Sequence, residues 1–496
     1  MPLILNNNSS FILMNLAFTI LIFSLNFLPH DAANITAATT TSPEFSTSVL
    51  NVTTALNQVH HVLSLKPSFH LHQNHEQQQQ QTQHTLSPSS SSSFSFQLHP
   101  RESLFNAHHH NYRSLVLTRL RRDSARVSWI TSHLNKSNLR PEHLSAPVTS
   151  GVSQGTGEYF ARIGVGQPTQ HFYIVPDTGS DINWIQCKPC NQCYKQSDPI
   201  FDPSTSSSYA LVPCKAKQCK DSELTGCYKN GCEYDVFYGD GSFSSGVLVT
   251  ETLSLGKNGS VKRVPIGCGH LNHGTFAGAA GILGLGRGAL SFQAHIKASS
   301  FSYCLVYRDT NKSSTLEFNS PRPGDSVTAP LLSNPKLKTF YYVGVTGVSV
   351  GGRRVSIPSS TFAIKPSGMG GIIVDSGTTV TRLPTPAFNA MRDAFVELTR
   401  HLRRAKGFLI LDTCYDFSSV TVATVPTVSF ELSGGGSWRL PVLGYLIPVD
   451  DKGTFCFAFA PSVEPVSIIG NVQQQGTRVS FDLVNSVIGF STDKCS

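Results

Sequence analysis

Two stretches of this 496-residue chain repeat one pattern. "HFYIVPDTGS" ends an apolar run on Asp177-Thr178-Gly179-Ser180, and "GGIIVDSGTT" ends another on Asp375-Ser376-Gly377-Thr378. The two acids stand 198 positions apart. One Asp-hydroxyl-Gly triplet is ordinary turn chemistry. Two copies, each closing a strand-like run and each followed by another hydroxyl, predict a chain of two comparable lobes that brings a pair of acids together.

The surrounding texture agrees. From about residue 147 onward, segments such as "EYFARIGVG", "VGVTGVSVGG", "TVPTVSFEL" and "RVSFDLVNSVIGFS" mix β-branched and aromatic residues with turn formers. Charged residues make up 14 %, and there are 39 Gly and 28 Pro, a mix that favours strands and turns over helices. "TPAFNAMRDAFVELTRHL" (385–402) is the clearest helical stretch. An all-β region of some 350 residues is too large for a single sandwich, so a two-lobed body is expected.

Paired acids suit peptide hydrolysis. The reaction needs a water activated as nucleophile and a proton delivered to the leaving nitrogen. Two carboxyls within hydrogen-bond reach share one proton, because both cannot ionise easily. Asp177 and Asp375 are the candidate catalytic pair; no metal, cofactor, nucleophilic Ser or Cys is required. Gly179 and Gly377 let the backbone approach closely. Thr178 and Ser376 are expected to tie the loops together, and Ser180 and Thr378 to hydrogen-bond the carboxylates.

The N-terminal part reads differently. "FILMNLAFTILIFSLNFL" (11–28) marks residues 1–30 as a secretory signal peptide, with an uncleaved anchor as the other reading. Residues 34–111 are low in complexity, with "NHEQQQQQTQH", "SPSSSSSFSF" and "HHH", and no fold is assigned to them. In 112–137, Leu115, Leu117, Leu120, Val127, Ile130 and Leu134 recur at helical spacing. Six cations (Arg113, Arg119, Arg121, Arg122, Arg126, Lys136) accompany a single acid, Asp123. This is either a solvated amphipathic helix or a basic segment that docks on an acidic cleft.

All twelve cysteines follow residue 186: Cys187, Cys190, Cys193, Cys214, Cys219, Cys227, Cys232, Cys268, Cys304, Cys414, Cys456 and Cys495. Behind a signal peptide an even count predicts disulfides. "CKPCNQC" invites a zinc ribbon, but no second set has ligand spacing. Nine cysteines lie in 187–304 and three in 414–496; both counts are odd, so full pairing requires a bridge between the halves. Asn34, Asn51, Asn135, Asn258 and Asn311 head N-x-Ser/Thr sequons and are candidate glycan sites. The net charge of +8 is too dispersed, with no aromatic-basic interleaving, for a nucleic-acid surface.

With "DTGSDINW" through Trp184, "YGDGS" (Tyr238, Gly239, Asp240, Gly241, Ser242), "AGILGLG" and "SIIGNV", residues 155–496 resemble the pepsin-like aspartic proteases. The Cys-rich stretch 187–232 is similar to the insertion of the atypical, nepenthesin-like plant branch. The resemblance implies an all-β bilobal fold with the cleft between lobes, and an aspartic-type endopeptidase made as a zymogen. Tyr238 becomes the flap tyrosine, hydrogen-bonded to Trp184, and Gly239–Gly241 the flap tip. Tyr238, Phe243 and Ile282 are candidate apolar wall residues. The family's C-lobe bond resembles Cys414–Cys456, which leaves Cys495 to bridge back, with Cys304 its candidate partner. The implied organisation is a signal peptide (1–30), a propeptide (31–146), an N-lobe (147–330) and a C-lobe (331–496). The partners are peptide or protein substrates and the chain's own propeptide as inhibitor. The mature part, of net charge +5, is a monomer without a membrane span, in the secretory pathway: endoplasmic reticulum, apoplast or vacuole. The competing reading is a non-catalytic binding protein on the same fold, like the plant xylanase inhibitors.

Overall fold

A computed structural model describes residues 45–64, 93–104, 111–135 and 159–495, apart from short gaps at 221, 230, 239–241, 255–258, 275, 277, 311, 464–465 and 493–494. The described residues belong to a unit running from Phe45 to Ser496. The predicted signal peptide lies outside them.

The architecture is mostly β, in two halves that share one antiparallel sheet. Its strands run in the order Tyr159–Val165, Phe94–Pro100, Ser314–Phe318, Ser300–Cys304, Thr477–Asp482, Val487–Thr492 and Val327–Leu332. Alternate residues of these strands face inward: Phe301 stacks on Phe481 at 4.4 Å, and Phe96 meets Phe292 and Phe318 edge-on. Burying such rings supplies much of the driving force for joining the halves. The expected helix near 385–402 forms at Thr385–Leu398 and buries Ala387, Phe388, Met391 and Phe395 against the second half.

The low-complexity stretch needs correction. Two parts of it are folded. Thr47–Asn51 pairs antiparallel with Val422–Pro426, and the helix Val52–Ser64 follows. Phe94–Pro100 alternates buried and less buried positions and sits between two strands of the shared sheet. Composition hid this because "FSFQLHP" is seven residues long and adjoins a serine run; period-2 alternation carried the signal.

The basic segment forms the helix Tyr112–Asn135. Asn111 caps it by accepting the Ser114 N–H at 2.9 Å. Leu115, Leu120, Val127 and Ile130 are buried, as the spacing predicts; Leu117 is half-buried and Val116, which the spacing does not include, is buried, but so are Arg119, Arg122, Asp123 and Arg126. A solvated charged face is thereby excluded for these four.

Candidate active site

Each acid stands at the end of a strand braced by a parallel neighbour. Gln170–Asp177 pairs with Gly281–Gly284, and Ile372–Val374 with Ser467–Ile469. "AGILGLG" and "SIIGNV" are thus equivalent supports. Gly281 passes so near the Trp184 carbonyl that a Cβ there would collide with it.

The two loops are tied across the cleft floor. The Ser376 N–H donates to Thr178 Oγ1 at 3.0 Å, and the two hydroxyls lie 3.2 Å apart. Each carboxylate accepts the N–H of the glycine two residues on, Gly179 to Asp177 at 2.9 Å and Gly377 to Asp375 at 3.2 Å. The flanking hydroxyls differ. Thr378 Oγ1 donates to Asp375 Oδ2 at 2.5 Å. Ser180 makes no such bond to Asp177; its Oγ lies 3.5 Å from the Ile182 carbonyl and 3.4 Å from Tyr238 Oη. The expectation for Ser180 fails because these two oxygens compete for its hydroxyl.

A guanidinium fills the space between the acids. Arg126 Nη2 lies 2.7 Å from Asp177 Oδ1 and 2.7 Å from Asp375 Oδ1. Its Nη1 donates to Asp177 Oδ2 at 3.2 Å and its Nε to Asp375 Oδ2 at 2.7 Å. All three side chains are buried, so the pairs are charge-assisted and poorly screened. Side chains at positions 179 and 377 would collide with the guanidinium where it now sits. Burial pushes the Asp375 carboxyl up, but Arg126, Thr378 and Gly377 outweigh it and hold it below the usual carboxylate range. Burial works against charge on Arg126, yet the two acids raise its pKa well above the usual value.

Above the floor, Trp184 Nε1 donates to Tyr238 Oη at 2.7 Å, and Trp184 packs edge-on against Phe276. Tyr238 ends one arm of a hairpin in which Gly231–Phe237 pairs with Phe243–Ser254. Gly239, Asp240 and Gly241, between the arms, lie outside the described residues.

Family models described as xylanase inhibitor N-terminal and xylanase inhibitor C-terminal match residues 159–319 and 340–492. The Arabidopsis thaliana protein Aspartic Protease in Guard Cell 2 is 46 % identical over 402 residues, covering 79 % of this chain and 84 % of that protein. Aspartyl protease family protein 2 of the same plant is 50 % identical over 397 residues, covering 77 % and 81 %. The chain belongs to the pepsin-like aspartic proteases of plants. The protease is thus a hydrolase of the aspartic type. It also superposes on a solved structure of edgp with a TM-score of 0.58 at 20 % identity, covering 69 % of this chain and 92 % of that one, a likeness of fold.

Six disulfides engage all twelve of the protease's cysteines: Cys187–Cys268, Cys190–Cys193, Cys214–Cys227, Cys219–Cys232, Cys304–Cys495 and Cys414–Cys456. The sulfurs of "CKPCNQC" are therefore not zinc ligands. Cys304–Cys495 is the bridge between halves that the odd counts require. Ile282, a candidate wall residue, belongs to the core beside Trp184; Phe243 is half-buried and stacks on His273. Asn51 is exposed and caps the helix after it, accepting the Thr54 N–H at 2.8 Å. Asn34, Asn258 and Asn311, and the Asn135 side chain, lie outside the described residues.

Sequence reasoning did not single out Arg126 from six cations, nor find its companions. Arg119 pairs with Glu102 and, through Nη1, with Asp309, each at 2.8 Å. Asp123 accepts the Thr379 N–H at 2.6 Å and pairs with Arg382. The available signal was the spacing of 119, 123 and 126, which puts three charges on the helix face that also carries Ile130.

Proposed function

We propose that the protease is an endopeptidase whose attacking water is activated between Asp177 and Asp375, and that it is made as a zymogen. The observation that carries this reading is one nitrogen, Arg126 Nη2, within hydrogen-bond distance of an oxygen of each acid. A water in the place of that nitrogen meets both carboxylates. The ionised member of the pair takes a proton from the water; the protonated member polarises the scissile carbonyl and protonates the leaving nitrogen. The single shared proton belongs to the pair. Thr178, Gly179, Ser180, Ser376, Gly377 and Thr378 hold the loops in register. Tyr238, fixed by Trp184, and the flap tip 239–241 close over a peptide substrate.

The latent form follows from the same contact. Residues 31–146 are the propeptide, after a signal peptide of 1–30, and 147–330 and 331–496 are the mature lobes. While Arg126 occupies the pair, neither water nor peptide reaches it. Arg119, held by Glu102 and Asp309, fixes the helix that carries Arg126. The propeptide strand Phe94–Pro100 is part of the shared sheet, so latency is tested in the full chain, where that strand is kept, rather than in a fragment starting at 147. The secretory route is supported by six disulfides, which persist in oxidising compartments. No helix of the described residues is long and apolar enough to cross a membrane.

The test is peptide cleavage by the processed chain. Cleavage blocked by pepstatin and lost in both Asp177→Asn and Asp375→Asn is expected. Turnover that survives either exchange would sink the shared-water mechanism.

A further inference from the structure

The contact made by Asp123 matters for the enzyme that remains once the propeptide is gone. Its carboxylate is fully buried. Oδ1 accepts two backbone N–H groups, from Thr379 at 2.6 Å and Val380 at 3.2 Å, and Oδ2 meets the Arg382 guanidinium. The three donors all come from the second lobe: Thr379 and Val380 from the loop that carries Asp375 four residues before Thr379, and Arg382 from the strand Thr381–Pro384 that follows it. Arg382 is buried as well, and among the described residues it also donates to the neighbouring Val380 carbonyl at 3.3 Å. Two convergent N–H groups and a guanidinium form a pocket shaped for one carboxylate. When the helix withdraws, all three donors lose that acceptor and are left convergent on the space that Asp123 occupied. A ligand carrying a carboxylate at that point restores the acceptor.

Place decides which ligand. Asp123 stands three residues before Arg126 on one helix face, and Arg126 marks the reaction centre. Three helical residues rise roughly 4.5 Å, a distance that an extended peptide covers in about one to two residues. We propose that Arg382, with the Thr379 and Val380 amides, forms a substrate subsite for an internal acidic side chain within about three residues of the scissile bond, and that Asp123 fills this subsite in the latent form. The proposal rests on the protease reading above and names a substrate class for it: peptides with Asp or Glu beside the cut. An internal acid is favoured over a peptide's terminal carboxylate because the occupant seen here is itself a side chain within a continuous chain.

Buried pairing makes Arg382 a specificity residue and leaves the chemistry to the dyad. With Asn in place of Asp, one oxygen can still accept the two amides, but the NH2 then faces the Arg382 guanidinium donor to donor and leaves it unpaired, which is the mismatch such a site discriminates against. The experiment uses the full chain processed to its active form and internally quenched peptides that differ only in Asp against Asn, placed in turn at each position within three residues of the cut. Measurements run from about pH 4.5 upward, where a free Asp is ionised; because burial raises the pKa of the acid now in the pocket, the preference is expected to be largest at the low end of that range. At one position the Asp peptide is expected to exceed the Asn peptide by about tenfold or more in kcat/KM. Arg382→Gln should bring that ratio close to one, and Arg382→Lys should keep part of it. The inference is overturned if the wild-type enzyme shows no such position, or if the preference survives Arg382→Gln. The wild-type ratio alone decides the matter should that variant fail to fold. The Asn peptides need the dyad but not the pocket, so their cleavage reports on the protease reading separately.

Discussion

The two acid loops are near-copies in sequence, yet the molecule uses them unequally. The first, Asp177 to Ser180, gives its last hydroxyl to the flap side of the cleft, beside Tyr238. The second, Asp375 to Thr378, turns that hydroxyl onto its own acid and uses the next amides to seat Asp123. The shared elements, a parallel bracing strand and a glycine two residues past the acid, place the carboxylates symmetrically. The residues beyond that glycine make one acid different from the other. The repeated motif fixes position, and the flanking residues set which further hydrogen bonds each loop makes.

The largest effect should be the one that ignores this difference. Asp177→Asn and Asp375→Asn are each expected to lower kcat/KM by about a thousandfold or more, because neither half of a shared-proton pair works alone. A loss at one position only, measured on the same peptide, would mean that the loops are not partners. Next comes the group that binds both loops. Arg126→Gln in the full chain removes the cation between two buried carboxylates, and breaking such a buried arrangement costs about 3–5 kcal/mol. The variant is expected to gain peptide cleavage at neutral pH by about a hundredfold over the latent wild type. Wild-type latency in that variant would separate the Arg126 contact from inhibition.

Acid should distinguish the contacts of the propeptide by sign. Burial pushes Glu102 up, but Arg119 outweighs it, so Glu102, like Asp375, is held below the usual carboxylate range. Docking free energy from these two groups is fully present only above about pH 5, above the free carboxyl values, and is lost as pH falls through their lowered values. Asp123 works the other way. Burial raises it despite Arg382 and the two amides, so the docked form takes up that proton first, and this contribution favours docking as pH falls. Release is therefore expected only below about pH 4, followed as onset of cleavage after stepwise acidification. Onset between pH 5 and 6 would show that Asp375 and Glu102 do not govern release.

Much of this was legible in the residues. Asp177, Asp375 and the Thr178–Ser376 tie could be read because each is a short local motif whose partner is another short motif; the Tyr238–Trp184 bond came from the family resemblance that those motifs carry. The bridge between halves could be read from cysteine parity. The burial of Arg119, Asp123 and Arg126 could not, because a charged helix face looks the same whether it meets water or a cleft lined with opposite charge. Phe94–Pro100 escaped for a related reason: its pairing partners lie at 159–165 and 314–318, far along the chain, and its neighbours in sequence are serines. Ser180 escaped because the choice between two acceptors is made by tertiary packing, and the motif is silent on it.

The smallest effect is the sharpest probe of the inequality between the loops. Thr378→Val removes the hydroxyl that donates to Asp375 while keeping the shape, and Ser180→Ala removes the hydroxyl that faces Tyr238. A hydrogen bond to a charged acceptor contributes about 1.5–3 kcal/mol, and each pKa unit corresponds to about 1.4 kcal/mol. Losing the Thr378 bond destabilises the ionised form of Asp375, so its pKa rises. In the processed enzyme one member of the pair must be ionised, and the acid limb of the kcat/KM profile should move upward by about one pH unit. Ser180→Ala should leave that limb in place, since its hydroxyl touches no carboxylate in the structure. Equal shifts in the two variants would mean that the loops are equivalent in the working enzyme and that the inequality belongs to the latent form, in which Arg126 sits between them.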